Sequence, residues 1–507
     1  MTWAGVSAWF QRHLSSYSHP AVRRILFLGF ASGLPFPLVL MTLSARLQQA
    51  GIERTTIGTF SLVGLAYSLK FFWSPVVDRL NLPGLGRLGQ RRSWMLLAQC
   101  GVIAGLVLMA VHDPAIDPLG FAMLATFTAF CGATQDIVID AYRIESTDAS
   151  LQGSTAASYQ VGYMIALICG GAGAMVAASG YGWTIAYLIM AACMLLAPAT
   201  CLVIPEPISL RDRRVKVDPN LIAATIARMR ARALILAFAI TAAAGAALHF
   251  ALPAKTSTTV IDVSVGVILA FELALLLLLK AAPLRPMLEK LTGSVVLPLT
   301  DFTGRMGMRL AIPMLLLIVT YRLNYMTMGV AANTFYLDMH YTLDQVALVS
   351  KVYGVILTLV GALLAGWLVK RTGALRTMLL GLILLTAANL FYGHLATMGG
   401  RPPPLAWLAG GISLDNVANG IAGTAFIAWM SSLTSKDFTA TQYALFGTLW
   451  SLPAKSIASQ WGRIVDAIGY PAFYMYTAAI GLPSLLLILW LLRDSAARNT
   501  AAQREAA

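Results

Sequence analysis

The chain has 507 residues, of which 58% are hydrophobic and only 11% charged, with a formal net charge of +14. Soluble domains hold about 45–50% apolar and about 25% charged residues, and a soluble chain of this length would fold as several domains with polar surfaces. That polar surface is missing, which excludes a soluble globular protein. The positive charge does not mark a nucleic-acid binder either, because its placement follows membrane topology.

Apolar runs of about twenty residues, the helix length that crosses about 30 Å of hydrocarbon, recur from residue 23 to residue 493. The alternating ten-residue segments of a strand barrel do not occur. The pattern predicts an all-α polytopic membrane protein of fourteen transmembrane helices. They lie over 23–47, 56–78, 92–112, 118–143, 153–178, 182–204, 233–252, 260–280, 309–337, 344–369, 374–396, 404–432, 439–465 and 470–492. Residues 1–20 are too polar for a secretory signal, so the first span is expected to target the chain.

With both termini in the cytoplasm, 27 of the 36 Lys and Arg fall in inner segments, and the outer loops hold only Arg46, Arg54, Lys255 and Arg401. This is the positive-inside distribution, and it requires an even number of spans. Twelve spans satisfy it equally if 233–280 forms a peripheral or re-entrant hairpin.

Along the chain, Gly29 and Gly33 in the first span have the four-residue spacing that lets helices approach closely in lipid. Pro35 and Pro37 follow at once. Each removes a backbone donor, so a bend or break is expected there, beside a cavity that satisfies the freed carbonyls. The second span carries Tyr67 and Lys70 and runs into Asp78-Arg79 and the basic pair Arg91-Arg92. In the fourth span Asp136 and Asp140 share one helical face, with Gln135, Tyr142 and Arg143 nearby. Two like charges so close in a low dielectric cannot both ionise cheaply, which suits a proton taken up and released near neutral pH. Pairing of either Asp with Arg143 or Lys70 is the alternative. The five cysteines all fall in apolar spans without CxxC spacing and read as packing residues.

The fifth and sixth spans join through Gly180-Tyr181-Gly182-Trp183, and the last two through Gly469-Tyr470-Pro471-Ala472, an offset of 289 residues. This weak repeat has the form of two parallel halves, with a basic linker and two extra spans between them. The expected divisions are a cytoplasmic segment 1–20, a six-helix bundle 21–205, a linker with two added helices 206–305, a second six-helix bundle 306–493 and a cytoplasmic tail 494–507.

The second half places Tyr321, Arg322, Asn324 and Tyr325 midway along its first span, Lys351 in the next, and Asp415, Asn416 and Asn419 mid-span in the helix that starts near Pro404. Each intramembrane ionisable group costs about 2.5–3.5 kcal/mol on insertion scales, so each faces the bundle interior or a partner. Arg322 offers a rigid fork of donors suited to a carboxylate. An Arg322–Asp415 ion pair that only holds the half together is the competing reading. Lys455 is open in the same way.

Four segments resemble the AmpG-type muropeptide permeases of the major facilitator superfamily. They are Gly29-Phe30-Ala31-Ser32-Gly33-Leu34-Pro35, Tyr67-Ser68-Leu69-Lys70-Phe71-Phe72-Trp73-Ser74-Pro75, Ala133-Thr134-Gln135-Asp136-Ile137-Val138-Ile139-Asp140-Ala141 and Thr439-Ala440-Thr441-Gln442-Tyr443-Ala444-Leu445. Asp78-Arg79 with the following basic cluster resembles the superfamily's loop signature. The resemblance implies a major-facilitator fold of two six-helix bundles plus an inserted hairpin. It also implies a multi-pass protein of the bacterial inner membrane that imports anhydro-muropeptides on a proton gradient, without a cofactor, for peptidoglycan recycling linked to β-lactamase induction. The nearest alternative is the acetyl-coenzyme A transporter branch.

Residue chemistry and resemblance together make Asp136 and Asp140 candidates for proton coupling. Tyr67, Lys70, Gln135, Tyr321, Arg322, Asn324, Lys351, Asp415 and Asn416 are candidates for substrate binding, and Asp78, Arg79 and Arg143 for gating. A monomer in the lipid bilayer is expected, with no nucleic acid and no metal. A membrane-embedded enzyme is disfavoured, because the six histidines are scattered and no P-loop or metal spacing occurs. A receptor would need a large soluble domain, and no loop is long enough for one.

Overall fold

In the computed structural model the described residues are 15–52, 61–64, 66–67, 70–79, 82, 84–207, 298–398, 404–458 and 461–505. All of their regular structure is helical. The two helices expected at 233–252 and 260–280 lie outside the described residues, as do the side chains of Arg79 and Lys351. Residues 1–212 and 306–507 form one compact unit and 213–305 a second. The first unit is described below.

The first predicted span is three helices in series: α1 (Pro20–Gly33), α2 (Pro35–Val39) and α3 (Met41–Gln49). His19 caps the start by accepting the Ala21 N–H, and Pro20 occupies the first turn, where a missing donor costs nothing. Pro35 then ends α1. Among the described residues of the second span, single 3-10 turns at Ser61–Gly64 and Lys70–Phe72 precede α4 (Ser74–Arg79). α5 (Gln90–Val111) and α6 (Pro118–Glu145) follow as continuous spans, then α7 (Gln152–Ile168), α8 (Ala174–Met194) and α9 (Leu196–Val203).

Eight helical stretches among the described residues are long and apolar enough to cross a membrane. One of them, Gln152–Val203, has 52 residues, or about 78 Å of helix, more than twice the hydrocarbon thickness. It turns at Gly182, whose φ of 82° and ψ of 164° suit only glycine. The second half repeats the device at Gly469, with φ 74° and ψ 164°. Gly89 and Gly373 form a further such pair. The repeat therefore pairs Gly182 with Gly469, two residues off the register expected from the sequence.

The second half contains α10 (Met308–Thr320), α11 (Leu323–Asp338), α12 (Gly354–Thr372), α13 (Ala374–Ala396) and α14 (Leu405–Leu433). It ends with α15 (Thr439–Ala458), α16 (Trp461–Ile480) and α17 (Leu482–Glu505). Glycines permit the tight crossings. A Cβ at Gly29 would collide with the Tyr159 carbonyl on α7, and one at Gly162 with the Leu26 carbonyl on α1. Gly361 on α12 and Gly420 on α14 repeat this arrangement. Outward faces are greasy, with Met123, Val176 and Leu486 each more than half exposed. Arg46, counted above among the outer-loop charges, is instead buried in α3. It donates to the Met109 and His112 carbonyls at 2.7 and 2.9 Å, a cation at the C-terminal end of α5.

Contacts between the halves cluster at the end where the chain begins and α6 stops. There α7 packs on α12 and α14, and α15 packs on α4 and α6. Gly153 faces Gly366 and Val369 across the seam. The turn Ser15–Ser18 joins in: Tyr17 donates to the Leu363 carbonyl and Lys370 to Ser16 Oγ, both at 2.8 Å.

Candidate functional site

A charged cluster sits between α6, the second span and α1. Lys70 Nζ lies 3.4 Å from Asp136 Oδ2 and 3.6 Å from Asp140 Oδ2, and Arg143 reaches Asp140 at 3.8 Å. Ser32 Oγ donates to Asp136 Oδ1 and meets the Tyr159 hydroxyl at 2.8 Å. The like-charge repulsion that the i, i+4 spacing implies is therefore offset. Two carboxylates and two cations thus lie together in the low dielectric of the bundle. Tyr67 of the second span packs against Gly132 of α6, with its hydroxyl buried and unpartnered. Lys455, from α15 of the second half, is within electrostatic reach of Lys70.

Gln135, expected as a substrate contact, is committed through its amide nitrogen to the backbone of α1. Pro35 has no N–H, so the Ala31 carbonyl loses its helical donor. Gln135 Nε2 supplies the replacement at 2.6 Å. The proline break expected from the sequence is thus held open by a side chain 104 residues away.

In the second half Arg322 lies over the Tyr325 ring at 4.4 Å and donates Nη2 to Asn419 Oδ1 at 3.0 Å. Gly423 leaves room for its Nη1. No ion pair joins Arg322 to Asp415 among the described residues, so the pairing that would have made both purely structural is not formed. Asp415 Oδ1 and Arg322 Nη1 are both buried without a hydrogen-bond partner. Asn416 is tied down, accepting from Thr358 at 2.8 Å and donating to the Ile412 carbonyl at 2.9 Å. Tyr321 is not brought to this group: fully buried, it donates to the Met378 carbonyl at 2.8 Å and stacks on Phe426. Asn324 also turns away, accepting from the Tyr325 N–H, with its Nδ2 near Gly481. Both are buried against neighbouring helices in this arrangement and are not brought together with Arg322 and Asp415.

The end where the halves meet is closed by charge. Arg91 bridges Asp78 at 2.8 Å and Glu145 at 2.7 Å. Asp78 also crosses the seam, accepting from Thr441 N at 2.8 Å, Thr441 Oγ1 at 2.6 Å and Ala440 N at 3.3 Å. It thus caps the N-terminus of α15 from the opposite half, where a carboxylate meets unsatisfied N–H groups and the positive end of the helix dipole. Arg143 lies between the rings of Tyr159 and Tyr443, 5.6 and 5.4 Å away, one from each half. Glu206 accepts the Arg91 and Arg92 N–H groups at 2.7 and 3.0 Å. Burial raises its carboxyl above the ordinary value, and those two donors hold it back. Ser32, Glu145, Tyr159, Glu206, Asn419 and Tyr443 were not among the candidates. Ser32 and Tyr443 do fall within the segments that carry the resemblance and Asn419 beside Asp415, while Glu145 and Glu206 stand out as acidic residues at span ends.

A helical bundle with buried charges at its centre and a charged clasp across one end of two similar halves is a membrane transporter. The Major Facilitator Superfamily profile matches residues 25–319 and 314–507. The anhydromuropeptide permease of Escherichia coli is 30% identical over 487 residues, covering 94% of this chain and 81% of the permease. AmpG 4 of Rickettsia conorii is 26% identical over 469 residues, covering 92% of this chain and 95% of that protein. The crystal structure of the major-facilitator transporter FucP in its outward conformation aligns with a TM-score of 0.56 and 11% identity, over 94% of this chain and 99% of that one, a likeness of fold alone. The chain belongs to the major facilitator superfamily and, within it, to the AmpG-type transporters. It is a multi-pass membrane transporter and not an enzyme.

Proposed function

We propose that this protein imports anhydro-muropeptides, the disaccharide-peptide fragments of peptidoglycan, from periplasm to cytoplasm by proton symport across a bacterial inner membrane. The likeness to the Escherichia coli permease, spread over both halves, supports the cargo. The observation that carries the coupling is the Lys70–Asp136–Asp140 cluster. A proton on either carboxylate leaves Lys70 and Arg143 in excess by one charge, and the helices that bear them shift to rebalance it. One proton crossing 100 mV supplies about 2.3 kcal/mol, enough to concentrate a neutral co-substrate some tens of fold. Arg322 receives the substrate's carboxylate, with Asp415 and Asn416 of α14 as further substrate contacts.

The positive-inside distribution puts both termini and the clasped seam in the cytoplasm. The clasped arrangement is then the state sealed toward the cytoplasm, and opening requires Asp78 to leave α15. The protein works as a monomer, and the imported fragments feed peptidoglycan recycling and β-lactamase induction.

The deciding experiment is uptake of labelled GlcNAc-anhydroMurNAc-peptide into vesicles with and without a pH gradient. Gradient-driven uptake that is lost in Asp136→Asn or Asp140→Asn is expected. Uptake indifferent to the gradient removes symport. Failure to take up the fragment, with uptake of acetyl-coenzyme A instead, replaces the cargo.

A further inference from the structure

The two halves treat their buried carboxylates differently. In the first half Asp136 and Asp140 are each held by a cation. In the second, Asp415 is half-buried on α14, in a span where an unpaired charge is costly, and its Oδ1 is buried without a hydrogen-bond partner, with no ion pair to it among the described residues. Buried polar groups almost always find partners, so an orphan of this kind calls for an explanation.

Its surroundings supply one. The groups that face it electrostatically are Arg322 and Tyr325, Tyr336 farther along α11, Tyr392 on α13 and Tyr474 on α16. The Tyr336 and Tyr392 hydroxyls bond each other at 3.0 Å. On the α12 side the Tyr353 hydroxyl is held by Ser413 Oγ at 2.8 Å, and the Lys351 side chain lies outside the described residues. Arg322 is thus the cation that acts on Asp415 among the described residues, and it is turned to Asn419 and the Tyr325 ring instead. A carboxylate held in such a place without a facing counter-charge or donor carries a desolvation cost that a proton would remove. One guanidinium nitrogen, Nη1, stays uncommitted at the same time.

We propose that Asp415 is a second proton-binding residue, separate from the Lys70 cluster, and that its proton is tied to a ligand carboxylate on Arg322. Arg322 has one positive charge to offer. When it faces Asp415, that carboxyl gives its proton to the aqueous phase and is held as the anion. When a ligand's carboxylate takes Nη1, Asp415 loses its counter-charge and takes a proton back. One anion and one proton then enter together, and the second half keeps its net charge. The inference rests on the proposed function only in requiring a ligand that carries a carboxylate.

The test uses the purified full chain and two probes: GlcNAc-anhydroMurNAc with its lactyl carboxyl free, and the same disaccharide with that carboxyl converted to the amide. Calorimetry in buffers of different ionisation enthalpy counts protons taken up on binding. The wild type is expected to take up protons with the carboxylate probe and none with the amide. Its affinity for the carboxylate is expected to fall by up to about tenfold per pH unit on the alkaline side of the titration. Asp415→Asn, which preserves the shape, is expected to bind the carboxylate probe without proton uptake and without that slope. Binding of the carboxylate without proton uptake in the wild type, or unchanged uptake in Asp415→Asn, overturns the proposal. If neither probe binds, the cargo reading is what fails, and Asp415 is then read directly by infrared pH titration. A protonated-carboxyl band present in the wild type and missing in Asp415→Asn supports the proposal, and its absence from the wild type overturns it.

Discussion

Replacing Asp78 by Asn tests whether the clasp at the seam sets the balance between closed and open forms. Asp78 accepts three bonds from the start of α15 and one from Arg91. Asn keeps the size and one acceptor but removes the charge. Hydrogen bonds to charged groups contribute about 1.5–3 kcal/mol, and a carboxylate at a helix N-terminus about 0.3–1 kcal/mol, rising to about 2 when partly buried. Part of that is kept by the Asn oxygen, so a shift of about 2 kcal/mol toward the form open at this end is expected, a factor of about 30 in the ratio of the two. Spin labels at exposed Asp148 and Thr372, on opposite sides of the seam and in a background with the cysteines replaced, report the separation by pulsed resonance. Asp78→Asn is expected to add or enlarge a long-distance population. Thr441→Val, which removes one of the same bonds, should shift it the same way by less. The double variant should fall short of the sum, because both changes break one contact. Distance distributions identical to the parent in Asp78→Asn would refute the reasoning, as would full additivity.

Gln135→Leu orphans the Ala31 carbonyl, and leaving a buried acceptor unmet costs about 1–3 kcal/mol. The thermal midpoint of the purified protein is expected to drop while ligand affinity per folded molecule holds. Lys70→Met leaves Asp136 and Asp140 facing each other with only Arg143 nearby. Breaking a buried pair costs about 3–5 kcal/mol, so folded yield should fall in detergent and recover when Asp136→Asn is added. Glu206 is a carboxyl whose burial raises it above the ordinary value of 4.5. The folded state therefore binds its proton more tightly than the unfolded chain does, and its contribution to stability is full below that value and declines as pH rises through the raised one. The melting temperature of the wild type should fall more steeply over that window than that of Glu206→Gln, and parallel profiles would remove Glu206 from the account.

Helix positions were legible because crossing a bilayer demands a fixed apolar length. The expected 374–396 matches α13 at both ends, and the break between the fifth and sixth spans falls at Gly182, where the chain needs a backbone only glycine adopts easily. The proline break in the first span was legible for the same local reason. What answers a local defect was not. Gln135 reads as a polar residue beside two aspartates, and nothing along the chain shows that its amide meets the carbonyl Pro35 frees. Helix rotation was the other blind spot. Tyr321, Arg322, Asn324 and Tyr325 fall within five residues, but the helix turns only Arg322 and Tyr325 toward Asp415 and buries the other two against its neighbours. Spacing identified Asp136 and Asp140 as neighbours, but not that Lys70 lies between them, reaching in from 66 residues earlier in the chain.

The position of Arg143 joins the central cluster to the seam. Its guanidinium is fully buried and makes no hydrogen bond, so it is held by the Asp140 charge 3.8 Å away and by two rings. Ring faces favour a cation only weakly, by about 0.5–2 kcal/mol, whereas an unpaired buried charge costs several. Asp140 therefore supplies most of what keeps Arg143 in place. A proton on Asp140 removes that anchor and leaves the guanidinium seeking water or another acceptor. Because one of its two rings, Tyr443, belongs to the second half, Arg143 cannot leave without loosening the seam two residues from Thr441, where Asp78 holds α15. In the proposed symport, protonation at the centre would be linked to opening at the end through this one buried cation, with no need for the helices between them to deform.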